Sequence, residues 1–231
     1  MKRAHYILTR AKNSLYDVQT IEIFRRVLGA ESVGLDVGCF EGSMLRHMRR
    51  FAPHGRHIAF EPNPARAAAL IRQFPTFQIH AVALGEEPGE QTFHEAVAAP
   101  ALSGLRPRAD IPAGSAVCQH TIRVETLDHL VPPESQVALI KVDVEGGELG
   151  VFRGGLKTLR RTRPVVVFEC GLGGADLFGS TPEDIFDVLH EGATLRLFLL
   201  DGWLDAGSPL TREGFVDQFS RGLNYYFVAA P

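Results

Sequence analysis

Acidic residues in this chain gather where apolar runs give out. The first lies in Leu35-Asp36-Val37-Gly38-Cys39-Phe40-Glu41-Gly42. An apolar run feeding a glycine turn lets backbone approach a ligand closely, because glycine has no Cβ. The spacing is D-x-G-x-x-x-G, not the G-x-G-x-x-G with which dinucleotide binders set a pyrophosphate on a helix N-terminus. A carboxylate at that tip, Asp36, suits an ammonium group better than a phosphate. A plain structural turn reads the same way in isolation. Glu61 closes the next apolar run about 25 residues later, where a carboxylate can accept both hydroxyls of a ribose. Nicotinamide enzymes use an acid in that place too, so Glu61 points to an adenosine-type nucleoside without choosing the cofactor. Asp143, Glu145 and Glu148 crowd a third position, just after Lys141. Like charges this close raise at least one carboxyl pKa unless a cation is present. Such a carboxyl can also take a proton from a hydroxyl. Glu145 and Glu148 are equally placed to cap a following helix. Glu169 ends the most apolar run of all.

The elements that would carry these residues alternate between two periods. A helix is expected from about Asp17 to Leu28, with Val18, Ile21, Ile23, Phe24 and Val27 as apolar positions. Strands are expected at 32–37, 57–61, 77–82, 120–124, 138–144, 164–169, 195–200 and 225–230, with helices at 43–51, 65–74, 148–160 and 181–191 between them. Thr126 to Leu130 reads as a helical turn. From Glu86 to Ser115 the rhythm fails apart from a short strand at Thr92-Phe93-His94, and this stretch is expected to be a variable loop or lid. The pattern predicts one domain over residues 1–231, opened by a helical segment at 1–30. Its fold class is α/β, a Rossmann-like doubly wound, mostly parallel sheet of about seven strands with the last antiparallel. Ligands in such sheets bind at the carboxyl ends of the strands, where the acids lie. Asp201 to Phe219, with Trp203, is either extra substrate wall or a structural hairpin and helix.

Of 231 residues, 45% are hydrophobic and 22% charged, ordinary for a globular protein. A net charge of −3 gives no electrostatic reason for a nucleic-acid or membrane partner. Three scattered cysteines form neither a disulfide framework nor a zinc site. No stretch reaches the roughly 18 apolar residues of a membrane span. A cytoplasmic location is expected.

Leu35-Asp36-Val37-Gly38, Phe60-Glu61-Pro62-Asn63, Val82-Ala83-Leu84-Gly85, Thr126-Leu127-Asp128 and Ile140-Lys141-Val142-Asp143-Val144-Glu145-Gly146-Gly147-Glu148 resemble the successive motifs of the FkbM family of S-adenosylmethionine (SAM)-dependent methyltransferases, over about residues 32–169. The chain carries Cys39-Phe40 where that family usually has Ala-Asn. The resemblance implies the class I methyltransferase fold, with SAM as cofactor and S-adenosylhomocysteine as product. It implies methyl transfer, most simply to a hydroxyl of a small molecule, sugar or other natural product. Asp36, Gly38 and Gly42 would line the methionine end of SAM. Glu61 and Pro62 would hold the ribose, Ala83 and Leu84 the adenine, and Ser103 the segment over the cofactor. Asp143 would lie nearest the transferring methyl as base or orienting group, assisted by Glu145, with Lys141 fixing their geometry.

Oxygen ligands at Asp143, Glu145 and Glu148 would suit Mg²⁺, but no histidine pattern accompanies them and no metal is expected. His94, His120 and His129 are possible general bases without a visible partner. Two alternatives stay open: a nicotinamide-dependent oxidoreductase, and a SAM-binding domain without catalysis.

Overall fold

The computed structural model describes residues 2–108, 111 and 114–231. In chain order it contains α1 (Lys2–Val27), β1 (Val33–Val37), α2 (Ser43–Phe51), β2 (Ile58–Phe60), α3 (Pro64–Gln73), β3 (Gln78–His80), β4 (Ala83–Leu84), β5 (Gly89–Ala96), β6 (Val117–Glu125), α4 (Leu127–Leu130), β7 (Val137–Val142), α5 (Glu148–Gly154), α6 (Leu156–Thr162), β8 (Val165–Glu169), α7 (Pro182–Asp187), β9 (Arg196–Leu199), α8 (Leu200–Leu204), α9 (Arg212–Ser220) and β10 (Tyr226–Ala230).

Seven strands form the main sheet in the order β3-β2-β1-β7-β8-β10-β9. All pairings are parallel except those of β10, which runs antiparallel to both β8 and β9. The chain leaves β1 in one direction and later returns on its other side as β7. That reversal opens a crevice at the carboxyl ends of β1 and β7, the place where ligands bind in doubly wound sheets. Alternation along the strands sorts the two faces. Leu35, Val37, Ile140, Val142 and Phe168 pack against α4 to α7 and α9. Ala59, Leu139, Val167 and Val228 pack on the opposite side beneath α1, α2, α3 and α8. Asp36 and Lys141 are register partners on adjacent strands and occupy that second face among apolar neighbours.

Several boundaries differ from the pattern-based expectation. The first helix begins about four turns before Asp17; among its described side chains Tyr16, Thr20, Ile23 and Phe24 are buried. The 86–115 stretch is not all loop. Residues 89–96 pair in full with β6, and a second sheet forms in the order β4-β6-β5. Only Phe93 and Ala96 of β5 are buried, so the alternation that betrays a half-buried strand is missing. Within the expected lid, 109–110 and 112–113 lie outside the described residues. The expected 181–191 helix is present over that length but changes type part-way: a capping box at Thr181 and Asp184 leads into α7, which continues as a π-helix at Val188–Gly192. Asp201 to Phe219 holds α8 and α9. No helix among the described residues is long and apolar enough to cross a membrane.

Candidate active site

Two turns meet backbone to backbone at the switch point. A Cβ on Gly38 would lie 1.9 Å from the carbonyl oxygen of Asp143, and Gly38 has φ +80°, so both space and conformation demand glycine. The Asp143 N–H donates to Val37 O at 3.0 Å and ties the end of β7 to the end of β1. Phe40 (φ 48°) and Glu145 (φ 57°) sit left-handed on either side, a conformation uncommon for residues other than glycine.

A first cavity opens here, about 820 Å³ including its mouth. Glu61 stands on its wall, 3% exposed, with Oε2 accepting from Phe40 N–H and Oε1 from Asn63 N–H, both at 2.9 Å. Burial pushes its carboxyl up to about 7, against the pull of those N–H groups and of Arg66. Each oxygen keeps a free lone pair for a hydroxyl donor. Phe60, Val82, Leu84 and Phe93 add apolar surface. Ser103 also lines the wall, its Oγ accepting from Ala96 N–H at 3.1 Å. Arg66 lies 4.9 Å from the Phe40 ring centre and pairs with Glu95 of β5 at 3.0 Å, which fastens the small sheet over this cavity.

A second, larger cavity lies on the other side of the β7 turn, between α1, the end of β8 and the start of β10. Asp143 and Glu145 border both cavities. Asp143 Oδ2 accepts from Lys141 Nζ at 2.9 Å and Tyr226 Oη at 2.8 Å. Burial alone would raise its carboxyl, but Lys141, Tyr226 and Glu169 together hold it below its ordinary value. Burial and the charge on Asp143 push Glu169 well up, so Glu169 carries the proton between the two. Lys141 is buried, yet Asp143 and Asp36 keep it firmly charged. Arg108 reaches from the lid segment to pair with Glu145.

Of the cofactor residues expected from sequence, Gly38, Glu61, Pro62, Ala83, Leu84 and Ser103 line the first cavity. Asp36 and Gly42 line neither. Asp36 is sealed behind the wall next to Lys141. A Cβ on Gly42 would strike Leu70 and Phe74, so that glycine serves the packing of α2 on α3. Lys141 lines neither cavity and acts on the wall through Asp143. Among the described residues no histidine borders either cavity, and no three acidic, histidine or cysteine side chains converge to hold a metal ion. The sequence pattern gives no site role to Arg66, Phe93, Arg108, Tyr225 or Tyr226, and marks Asp17 only as the start of a helix. Asp128, in the Thr-Leu-Asp motif, accepts from the N–H groups of Lys157 and Thr158 at the start of α6.

The nucleoside slot, the apolar flanks and the acidic junction fit SAM, a ribose-bearing cation. Comparison with known proteins agrees. No curated protein matches the chain. Among solved structures, the methyltransferase FkbM from Methylobacillus flagellatus KT superposes with a TM-score of 0.53 at 13% identity, over 87% of this chain and 44% of that one. The chain thus spans less than half of that protein's length, and the likeness establishes the fold. Precorrin-6y C5,15-methyltransferase from Geobacter metallireducens GS-15 overlaps at 0.45 and 14% identity, over 79% and 73%. The family model described as the methyltransferase FkbM domain matches residues 32–195, a span that contains every turn of the first cavity. The chain belongs to the FkbM methyltransferase domain family.

Proposed function

We propose that the protein transfers the methyl group of SAM to a hydroxyl of a small molecule, sugar or other natural product. One observation carries this reading: Asp143 and Glu145 are the acidic residues shared by the nucleoside-shaped cavity and the larger second cavity. A donor in the first and an acceptor in the second would meet at these two side chains.

SAM, when bound, supplies an electrophilic methyl group on a sulfonium cation. The residues of this chain bind, orient and manage one proton. Glu61 accepts the ribose hydroxyls, with Pro62 beside it. Ala83 and Leu84 border the adenine, while Gly38 and Ser103 bring backbone and lid against the cofactor. Asp143 would orient the acceptor hydroxyl and take up its proton, while SAM would supply the methyl group, its S–C bond breaking as the O–C bond forms and S-adenosylhomocysteine leaving. Lys141 and Tyr226 fix the Asp143 carboxylate through hydrogen bonds at 2.9 and 2.8 Å. Glu145, latched by Arg108, closes the junction. Asp36 acts from behind, as a second counter-charge to Lys141.

Calorimetry with S-adenosylhomocysteine and with NADH tests the first half. One-to-one uptake of the former and none of the latter is expected, and well-folded protein that takes up no S-adenosylhomocysteine refutes the reading. Asp143→Ala tests the second half. It should keep cofactor uptake while radiolabelled methyl transfer to any responding acceptor falls at least about 100-fold.

A further inference from the structure

We propose that the second cavity receives an acceptor bearing a protonated amine beside the hydroxyl to be methylated. The proposal rests on the methyltransferase reading above and names its substrate class. Five carboxyl groups face this cavity: Asp17 from α1, Asp143 and Glu145 after β7, Glu148 at the start of α5, and Glu169 at the end of β8. Among the described residues the cationic side chains on the same wall are Lys12 and Arg108. Both are engaged. Lys12 Nζ donates to the Leu223 carbonyl and lies 5.2 Å from the Tyr225 ring centre, and Arg108 pairs with Glu145. Lys141, behind the wall, is paired with Asp143. Asp17, Glu148 and Glu169 make no ion pair among the described residues.

Glu148 gives an independent pointer. It is 1% exposed, and its Oε1 accepts from Gly146 N–H at 3.0 Å and Val144 N–H at 3.3 Å. Its Oε2 has no hydrogen-bond partner among the described residues. A buried carboxylate oxygen left like this needs a donor, and a charged donor best offsets its desolvation. These three carboxyls are all held above their ordinary values, chiefly by burial, Glu148 up to about 7, which favours their protonated forms. An ammonium group in the cavity displaces those protons. SAM brings one net positive charge, and the Asp143–Glu145 junction receives it. A neutral acceptor offers these acids no counter-charge, and an anionic one meets the charges on Asp143 and Glu145 and is disfavoured. The carboxyls are spread round the wall and do not converge as metal ligands among the described residues, which suits an extended organic cation. Tyr225 and Tyr226 also line this cavity, and aromatic rings favour a cation nearby.

Four sugars of similar size but different charge serve as probes: glucosamine, glucose, N-acetylglucosamine and glucuronate. They are titrated into protein saturated with S-adenosylhomocysteine, at pH 7, in two buffers of different ionisation enthalpy. Glucosamine is expected to bind at least tenfold tighter than glucose or N-acetylglucosamine and to release protons, with no detectable glucuronate binding. Asp17→Asn, an exposed change away from the junction, should keep cofactor uptake and shrink the amine preference below threefold. Equal binding of the four probes, binding of none, or preference for glucuronate overturns the proposal. A preference that survives both Asp17→Asn and Glu148→Gln also overturns it, as does the same proton release with Mg²⁺ alone. Failure to take up S-adenosylhomocysteine at the outset would instead sink the methyltransferase reading.

Discussion

Replacing Asp36 by Asn should stabilise the protein at neutral pH and not in acid. Asp36 is 1% exposed, and neither of its carboxylate oxygens has a hydrogen-bond partner among the described residues. Burial pushes its carboxyl from the ordinary 3.8 to about 6; Lys141 pulls it down and Asp143 pushes it further up. The folded state therefore binds this proton more tightly than the unfolded chain does. Its contribution to stability is complete below about pH 4, falls as pH rises through 6, and is absent above. Holding a carboxylate ionised against a displacement of roughly two pH units costs about 3 kcal/mol. Asn has the shape of the protonated acid and does not titrate. Between pH 4 and pH 7.5 its stability relative to the parent should therefore climb by about 3 kcal/mol, or roughly 6–12 °C in melting temperature for a domain of this size. Urea denaturation of both proteins at the two pH values measures the difference directly. A stability gap that stays constant with pH, or one that favours Asp36 more at 7.5 than at 4, would refute the reasoning. Because Asp36 lines neither cavity, the variant should also bind S-adenosylhomocysteine within about threefold of the parent, well short of the loss expected for a charge-assisted contact.

Two further outcomes test the nucleoside slot and the switch-point turn. Glu61→Gln removes the charge that strengthens hydrogen bonds from the ribose hydroxyls and should weaken S-adenosylhomocysteine binding about 10- to 100-fold by calorimetry; a change under threefold would remove Glu61 from the slot. Gly38→Ala places a methyl group against the Asp143 carbonyl at φ +80°, so its denaturation midpoint should report a loss of about 3 kcal/mol or more, and an unchanged midpoint would mean that the β1 and β7 turns do not meet as described.

Sequence made the central architecture legible because the buried strands are short, apolar and β-branched: Val33–Val37, Val137–Val142 and Val165–Glu169 all lie where alternation and composition put them. Their acidic ends could be read as a common rim because a parallel sheet brings carboxyl ends to one side. What sequence could not deliver was which side of a strand each acid faces. Asp36 and Glu61 look equivalent in the string, each closing or nearly closing an apolar run. Glu61 follows its strand and lines the first cavity, whereas Asp36 sits inside β1, buried beside its register partner Lys141 and lining neither cavity. Only Thr92–His94 of the β5 strand was legible, because its exposed face is continuous with solvent, leaving Phe93 and Ala96 as the buried signal. The residues from α1 and β10 escaped for another reason. They reach the site by tertiary packing across some 200 positions of sequence, and no local spacing encodes that.

That long-range packing also divides the work of the site. Asp143, Glu145, Glu148 and Glu169 fall within residues 32–195, the span that matches the family. Lys12, Asn13, Asp17, Tyr225 and Tyr226, on the opposite wall of the same cavity, fall outside it. The two outer segments are joined to each other: Tyr16 Oη donates to Asn224 Oδ1 at 2.7 Å, Tyr225 Oη donates to Asn13, and Lys12 donates to Leu223 O. They form one wall latched by these three hydrogen bonds, none of which touches the β1 or β7 turns. Side chains on that wall can change the shape and charge offered to an acceptor while Asp143, Lys141 and Gly38 stay where the sheet holds them. Specificity on such a scaffold belongs to the wall, and the chemistry belongs to the strand ends. The pairing of Tyr226 with Asp143 is where the two meet: it lets the outer wall bear on a carboxylate that both cavities share.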